Sequence, residues 1–266
     1  FILDVVGGAL VPAKTAAGEA DLQSRGLNFS DYTFLKAAEE RSDYKVRLWK
    51  TVRGSQLALY PNMNVQDPVW RKLNRDARFR QALSLGINRS EINQVIYYGL
   101  CLEVNNSVLP ASPLFKEEYG QAYADFDPAR ANALWFGFEN GIPTPYSSPA
   151  EFVPISQQSL QWPMWGQYIE TRGNAGEAVD MEKAKRLLEL YDLWIAADTR
   201  AQKVEIWQEI LAIHAEQVYT IGLVAEVPQP IVVANALRNV PPEGIYNWDP
   251  GAQFGMYRPE RFWFDR

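Results

Sequence analysis

The chain has one cysteine, Cys101, and one histidine, His214, in 266 residues. A lone cysteine admits no internal disulfide. That excludes a small stapled secreted domain, and it suits either the cytoplasm or an extracytoplasmic protein that needs no bridge. Cys101 and His214 form no ligand-spacing motif, so the sequence offers no basis for a zinc site, and nothing local supports a Cys–His nucleophile. His214 shares a helical face with Trp207, Ile210 and Leu211 and is expected to be a packed structural residue. Long apolar runs are missing too: none approaches the roughly 20 residues needed to cross a bilayer. Positive charge is in deficit, with 26 Lys and Arg against 32 Asp and Glu for a net charge of −6. A nucleic-acid binder needs a basic face to meet phosphates, so that class is excluded, and adhesion to an anionic membrane has no support. Gly7 and Gly8 follow a strand-like run, yet the later glycine and the Lys-Ser/Thr pair of a phosphate loop are absent. No cofactor or metal is expected.

What is present is ordinary globular composition: 47% hydrophobic and 22% charged residues, enough for a substantial core. Residues 1–64 alternate short apolar runs (1–6, 44–49, 57–60) with turns and a helical stretch at 32–41, an α/β pattern. The chain opens as if in mid-strand, so Phe1 reads as an internal position of a longer protein. Residues 67–100 are helical, with Gly99 as a C-cap. Residues 101–135 are mixed, and Pro110 and Pro113 punctuate a loop. Pro143, Pro145, Pro149, Pro154 and Pro163 then predict an irregular connection over residues 136–178. Two amphipathic helices follow. The first carries Met181, Ala184, Leu187, Leu188, Tyr191, Trp194 and Ile195; the second starts after Asp198-Thr199 and carries Val204, Trp207, Ile210, Leu211 and His214. Glu182, Lys183, Lys185, Arg186 and Glu189 fill the solvated face of the first. Residues 219–223 and 231–234 read as strands, with Pro228 and Pro230 marking an edge or crossover between them.

The most informative stretch is DARFRQALSLGINRSEI at 76–92. Phe79, Ala82, Leu83, Ile87, Ile92 and Ile96 recur at helical spacing and are expected to face a core. Asn88 with Glu91 three residues later gives a capping-box start for a second helix. The stretch resembles the D-x-R-x-R-Q-A-L-x-x-A-I-D-R segment of family 5 extracellular solute-binding proteins, with Asn88 in place of the usual Asp, a change that preserves helix capping. Three more stretches resemble the same family in the same order. AGEADL at 17–22 matches its turn before a strand, and DPARANA at 127–133 its D-P-x-x-A-x-x-L-L helix start. Ile221-Gly222, PQPIVV at 228–233 and LRNVP at 237–241 match its closing segment. The match covers the family's C-terminal half, and two family segments appear joined with a stretch missing around residues 132–136.

This resemblance implies an α/β fold of the type II periplasmic binding protein kind, in a partial two-lobe architecture. It divides the chain into a lobe at 1–135, an irregular aromatic-rich cleft segment at 136–178, and a helical pair with returning strands at 179–266. It also implies a receptor rather than an enzyme: an extracytoplasmic protein, exported by a signal peptide, that closes like a hinge over an oligopeptide or oligosaccharide and presents it to an ABC permease. The location is the periplasm, or the cell surface as a lipoprotein where there is no outer membrane. The residues themselves nominate the ligand site. Trp135, Phe138, Tyr146, Trp162, Trp165 and Tyr168 are interleaved with Glu139, Asn140 and several glutamines, giving flat apolar faces for contact and polar edges for orientation. Two other readings stay open: a carbohydrate-active hydrolase using paired carboxylates such as Glu139 and Glu151, and an interaction fragment with no intact pocket.

Overall fold

A computed structural model describes residues 8–125, 138–247 and 254–265. Its helices and strands run, in chain order, α1 (Val11–Ala16), β1 (Leu22–Gln23), α2 (Tyr32–Ala37), β2 (Tyr44–Thr51), β3 (Ala58–Leu59), α3 (Pro68–Arg75), α4 (Ala77–Leu85), α5 (Arg89–Tyr97), α6 (Glu117–Gln121), α7 (Pro163–Glu170), α8 (Glu182–Ala196), α9 (Arg200–Gln217), β4 (Ile221–Gly222), β5 (Pro228–Ala234), β6 (Leu237–Arg238), β7 (Ile245–Tyr246) and β8 (Trp263–Phe264). Two compact units result, one from residues 1–52 with 226–266 and one from residues 53–225. The boundaries therefore fall near 52 and 225, where strands leave and re-enter the first unit, and not at the 135 and 178 expected from the sequence. The first-strand expectation at 1–6 and the helix start at 127–133 lie outside the described residues.

The first unit is built on a four-stranded sheet in the order β1-β5-β2-β7, with β5 antiparallel to β1 and β2, and β2 parallel to β7. Strand periodicity decides what each face buries. Tyr44, Val46 and Val232 meet Leu35 and Ala38 of the α2 region on one side, while Trp49, Ile231 and Val233 meet Leu237 and Val240 on the other. Both faces of β5 are covered, which is why it reads as the continuous apolar run Ile231, Val232, Val233. Its two prolines do sit at an edge. β1 flanks β5 only at Val232 and Val233, so among the described residues no strand pairs with Pro228 or Pro230 on that side.

The second unit packs α8 and α9 against a core of Trp162, Trp165, Trp207, Phe152, Leu187 and Ile210. A smaller cluster joins Leu59, Ile87, Val218, Ile221 and Leu223 beside the β3–β4 pair. Local chemistry starts the helices as expected. Asp67 accepts from Val69 and Trp70 N–H at the head of α3, Asn88 from Glu91 N–H at the head of α5, and Thr199 with Gln202 forms a capping box on α9.

The face that α4 and α5 bury is only in part the one the apolar spacing predicts. Ile87 is buried, and Leu83 and Ile92 are half-buried against the smaller cluster. Phe79 is half-buried beside Trp70, whereas Ala82 and Ile96 are exposed. Arg80, Ser84, Arg89 and Asn93 are buried instead. The reason is an obligation to backbone groups. Arg80 donates to Gln217 O and Asn74 O, and Arg89 to Gly222 O and Ala124 O and, beside the Ile87 N–H, to Ser84 O, supplying donors to backbone carbonyls in the interior. Burial pushes both guanidiniums down to about 10, so both remain charged at neutral pH. The expected solvated face of α8 is held as anticipated, with Arg186 pairing with Glu189 and Glu209.

Candidate ligand-binding site

Within the second unit, the segment after residue 138 wraps around an open cavity of about 540 Å³. This is ample for a ligand of several rings or residues. Its apolar lining is Phe138, Ala150, Ile155 and Leu160, and its polar lining is Tyr60, Glu139, Glu151, Ser156, Gln158, Ser159 and Gln161. The prolines break the chain into short turns here, with a 3-10 turn at Ala150–Phe152. Pro163 acts differently from the expectation: it opens α7 at the first helical position, where its missing N–H costs nothing. The irregular stretch therefore ends near residue 162, and Tyr168 lies on a helix.

The nominated site residues separate into groups. Phe138 and Glu139 line the cavity. Trp162 and Trp165 have no exposed surface and stack at 6.3 Å between ring centroids, inside the core. They belong to the core cluster and are not among the residues that line the cavity. Tyr146 is exposed, and Asn140 accepts from Ile142 N–H in a local turn. Tyr168 packs on the turn at Gly173. None of those three lines the cavity, and Trp135 lies outside the described residues. Large rings win core positions because they bury the most area, and sequence spacing alone does not separate that use from contact with ligand.

Tyr60 is among the lining residues that sequence reading missed, with Ala150, Ile155, Ser156, Ser159 and Leu160. It ends the apolar run at 57–60, and only the return of the chain at 138–161 makes it part of a wall. Burial, with Glu151 and Glu139 close by, pushes its phenol well above the ordinary range, so it stays a neutral donor. The two carboxylates belong to one construction. Glu151 accepts from the Glu139 N–H at 3.3 Å, and Arg53 Nε lies 3.6 Å from Glu139 Oε2.

His214 supports this wall from beneath. Its Nε2 bonds Phe152 O at 2.7 Å, and its ring meets Phe138, Phe152, Trp162 and Tyr219 edge-on. Full burial pushes its pKa down to about 4. Gly166 provides the other support, because a Cβ there would stand 2.0 Å from the Ser156 carbonyl carbon and oxygen. Gly166→Ala is expected to displace Ser156 and cost about 1–3 kcal/mol by overpacking, read as a lowered unfolding midpoint. Among the described residues, no helix is long and apolar enough to cross a membrane, and no cluster of three or more His, Cys, Asp or Glu is placed to hold a metal ion.

Comparison with known proteins agrees with this architecture. The profile described as "Bacterial extracellular solute-binding proteins, family 5 Middle" matches residues 11–144. The fold is that of the type II periplasmic binding proteins. An oligopeptide-binding protein OppA superposes with a TM-score of 0.72 at 22% identity, over 98% of this chain and 56% of that one. MelB from Agrobacterium fabrum C58, solved with stachyose, gives 0.63 at 15% identity over 98% and 51%. AppA from Bacillus subtilis, solved with a nonapeptide, gives 0.55 at 14% over 97% and 59%. The chain thus spans somewhat more than half the length of these structures. Among curated proteins no sequence matches it. With the profile covering half of its residues, the chain belongs to the family 5 extracellular solute-binding proteins.

Proposed function

We propose that this protein is an extracytoplasmic solute receptor that binds an oligopeptide or an oligosaccharide and delivers it intact to the permease of an ABC importer. The observation that carries the reading is the cavity itself: Glu139, Glu151, Tyr60 and Gln158 offer hydrogen-bonding groups beside the apolar surface of Phe138, Ile155 and Leu160, in a chain of a binding-protein family. The named relatives bind solutes of both kinds, a nonapeptide and stachyose. Delivery works by population shift: the ligand stabilises a closed state that the permease recognises, and no covalent step is required. The protein acts in the periplasm, or on the surface as a lipoprotein in a cell without an outer membrane, and its precursor carries a signal peptide.

The intact protein should show a rise in unfolding midpoint with a peptide or an oligosaccharide, because ligand bound only to the native state stabilises it by mass action. Scattering should show compaction on binding, and the ligand should be recovered unchanged. One observation favours a second reading. Glu139 and Glu151, the pair a glycoside hydrolase would need, both line the cavity. Cleavage of a bound oligosaccharide would install that reading in place of the receptor, and absence of any midpoint shift across both ligand classes would leave an interaction fragment.

A further inference from the structure

A cation stands beside the cavity-lining Glu139, and backbone hydrogen bonding holds it there. Gly54 N–H donates to Phe138 O at 2.8 Å, so residues 53–54 and 138–139 run side by side and bring Arg53 to Glu139. Gly54 is also held closely against residues 106–107 and 138, since a Cβ there would stand 2.8 Å from Asn106 Oδ1, 2.9 Å from Ser107 O and 3.3 Å from Phe138 Cβ. The Arg53 side chain is only 25% exposed, against 57% for Glu139. An exposed ion pair between two wandering side chains contributes little, because ordering both offsets the attraction. Here one partner is largely ordered already, and its charge stands beside the carboxylate a ligand would meet.

Resting on the receptor reading above, we propose that Arg53 is a specificity-determining residue: as the counter-ion of Glu139, it directs the cavity towards uncharged, hydroxyl-rich oligosaccharides over cationic peptides. A ligand ammonium gains most from a carboxylate with no other cation beside it. At Glu139 it must displace the guanidinium or endure its repulsion at close range. A sugar hydroxyl meets neither penalty. A carboxylate that faces an arginine keeps lone pairs able to accept from O–H, and the rest of the polar lining suits such a ligand. Tyr60 is a phenol, Gln158 and Gln161 provide both donors and acceptors, and Glu151, which accepts from the Glu139 N–H, adds a second carboxylate to the same lining.

The test is calorimetry on the intact protein with stachyose and other uncharged tri- and tetrasaccharides against trilysine and tetra-alanine. The wild type is expected to bind at least one saccharide and to prefer it to either peptide. In R53Q that preference should fall about tenfold, as expected from the loss of one nearby charge in a partly screened site, while R53K should retain it within about threefold. Arg53→Leu, which keeps the apolar stem, replaces R53Q if the latter shows no cooperative unfolding. A wild type that prefers trilysine, or an unchanged preference in the charge-removing variant, overturns the proposal and leaves the receptor reading intact. Binding of neither class defeats the receptor reading and this inference with it.

Discussion

Replacing Arg89 with methionine is expected to be among the most damaging single substitutions in the second unit. The guanidinium donates to Gly222 O at 3.0 Å, Ser84 O at 2.9 Å and Ala124 O at 3.0 Å, and to Ser84 Oγ at 2.8 Å. Methionine fills the volume of the stem but supplies no donor. Gly222 O and Ala124 O would lose their donor, while Ser84 keeps the Ile87 N–H on its carbonyl and Tyr123 O on its hydroxyl, for a loss on the order of 3–5 kcal/mol, since each unsatisfied buried polar group costs about 1–3 kcal/mol. Gly222 shows why the network is there. Its N–H donates to Asn105 Oδ1 at 2.7 Å and its carbonyl accepts from Arg89, while a Cβ at this position would lie 2.4 Å from Asn106 N. Arg89 thus fastens β4 to the helical segment, joining two of the stretches that carry the family resemblance. Arg78, 88% exposed and paired with Asp76 on the same helix end, is the control. Arg78→Met should leave the urea midpoint almost unmoved, because exposed ion pairs contribute little. Equal effects in both variants would refute the structural role given to Arg89.

The second large effect concerns acid. His214 has a folded pKa of about 4 against 6.5 for the free side chain, chiefly because burial disfavours its charged form. The sign follows from proton uptake. Between pH 6.5 and 4 the unfolded chain binds a proton at His214 that the folded chain does not, so falling pH favours unfolding. The stability at stake is fully present above pH 6.5 and lost by about pH 4, roughly 3 kcal/mol in all and about 2 kcal/mol by pH 5. Glu177 and Glu209, held below the usual carboxylate range by hydrogen bonds from Arg71 and Arg186, add their own losses at lower pH. His214→Gln isolates the histidine, because glutamine can still donate towards Phe152 O without titrating. Urea unfolding at pH 7 and pH 5 should show a markedly smaller loss in the variant. Parallel pH profiles would mean that His214 titrates normally in the folded state.

Much of this molecule could be read from local chemistry. Asn88 and Thr199 start their helices because a side-chain oxygen meets an orphan N–H within three residues, and such signals survive any tertiary context. The run at 231–234 announced a strand, and the structure shows that both of its faces are covered. The long amphipathic helices declared themselves through Leu187, Trp207 and Ile210, all buried. The candidate cavity was legible only in part. Phe138 and Glu139, which line it, were nominated because aromatic and carboxylate groups clustered between prolines, and the same reasoning nominated Trp162 and Trp165, which lie in the core.

The sequence by itself determined the α/β class, the order and starts of the main helices, and the family, because hydrophobic period, capping residues and collinear motifs are properties of neighbouring positions. Tertiary structure alone decided the rest. Arg80 and Arg89 lie on the buried face of their helices because carbonyls from distant segments needed donors, a demand that apolar spacing cannot register. Tyr60 became a wall of the cavity, and Arg53 the neighbour of Glu139, only when residues 53–60 met residues 138–161. Pairings at such separation are settled by packing and by satisfaction of buried polar groups across the whole unit, and no window of local sequence contains both partners.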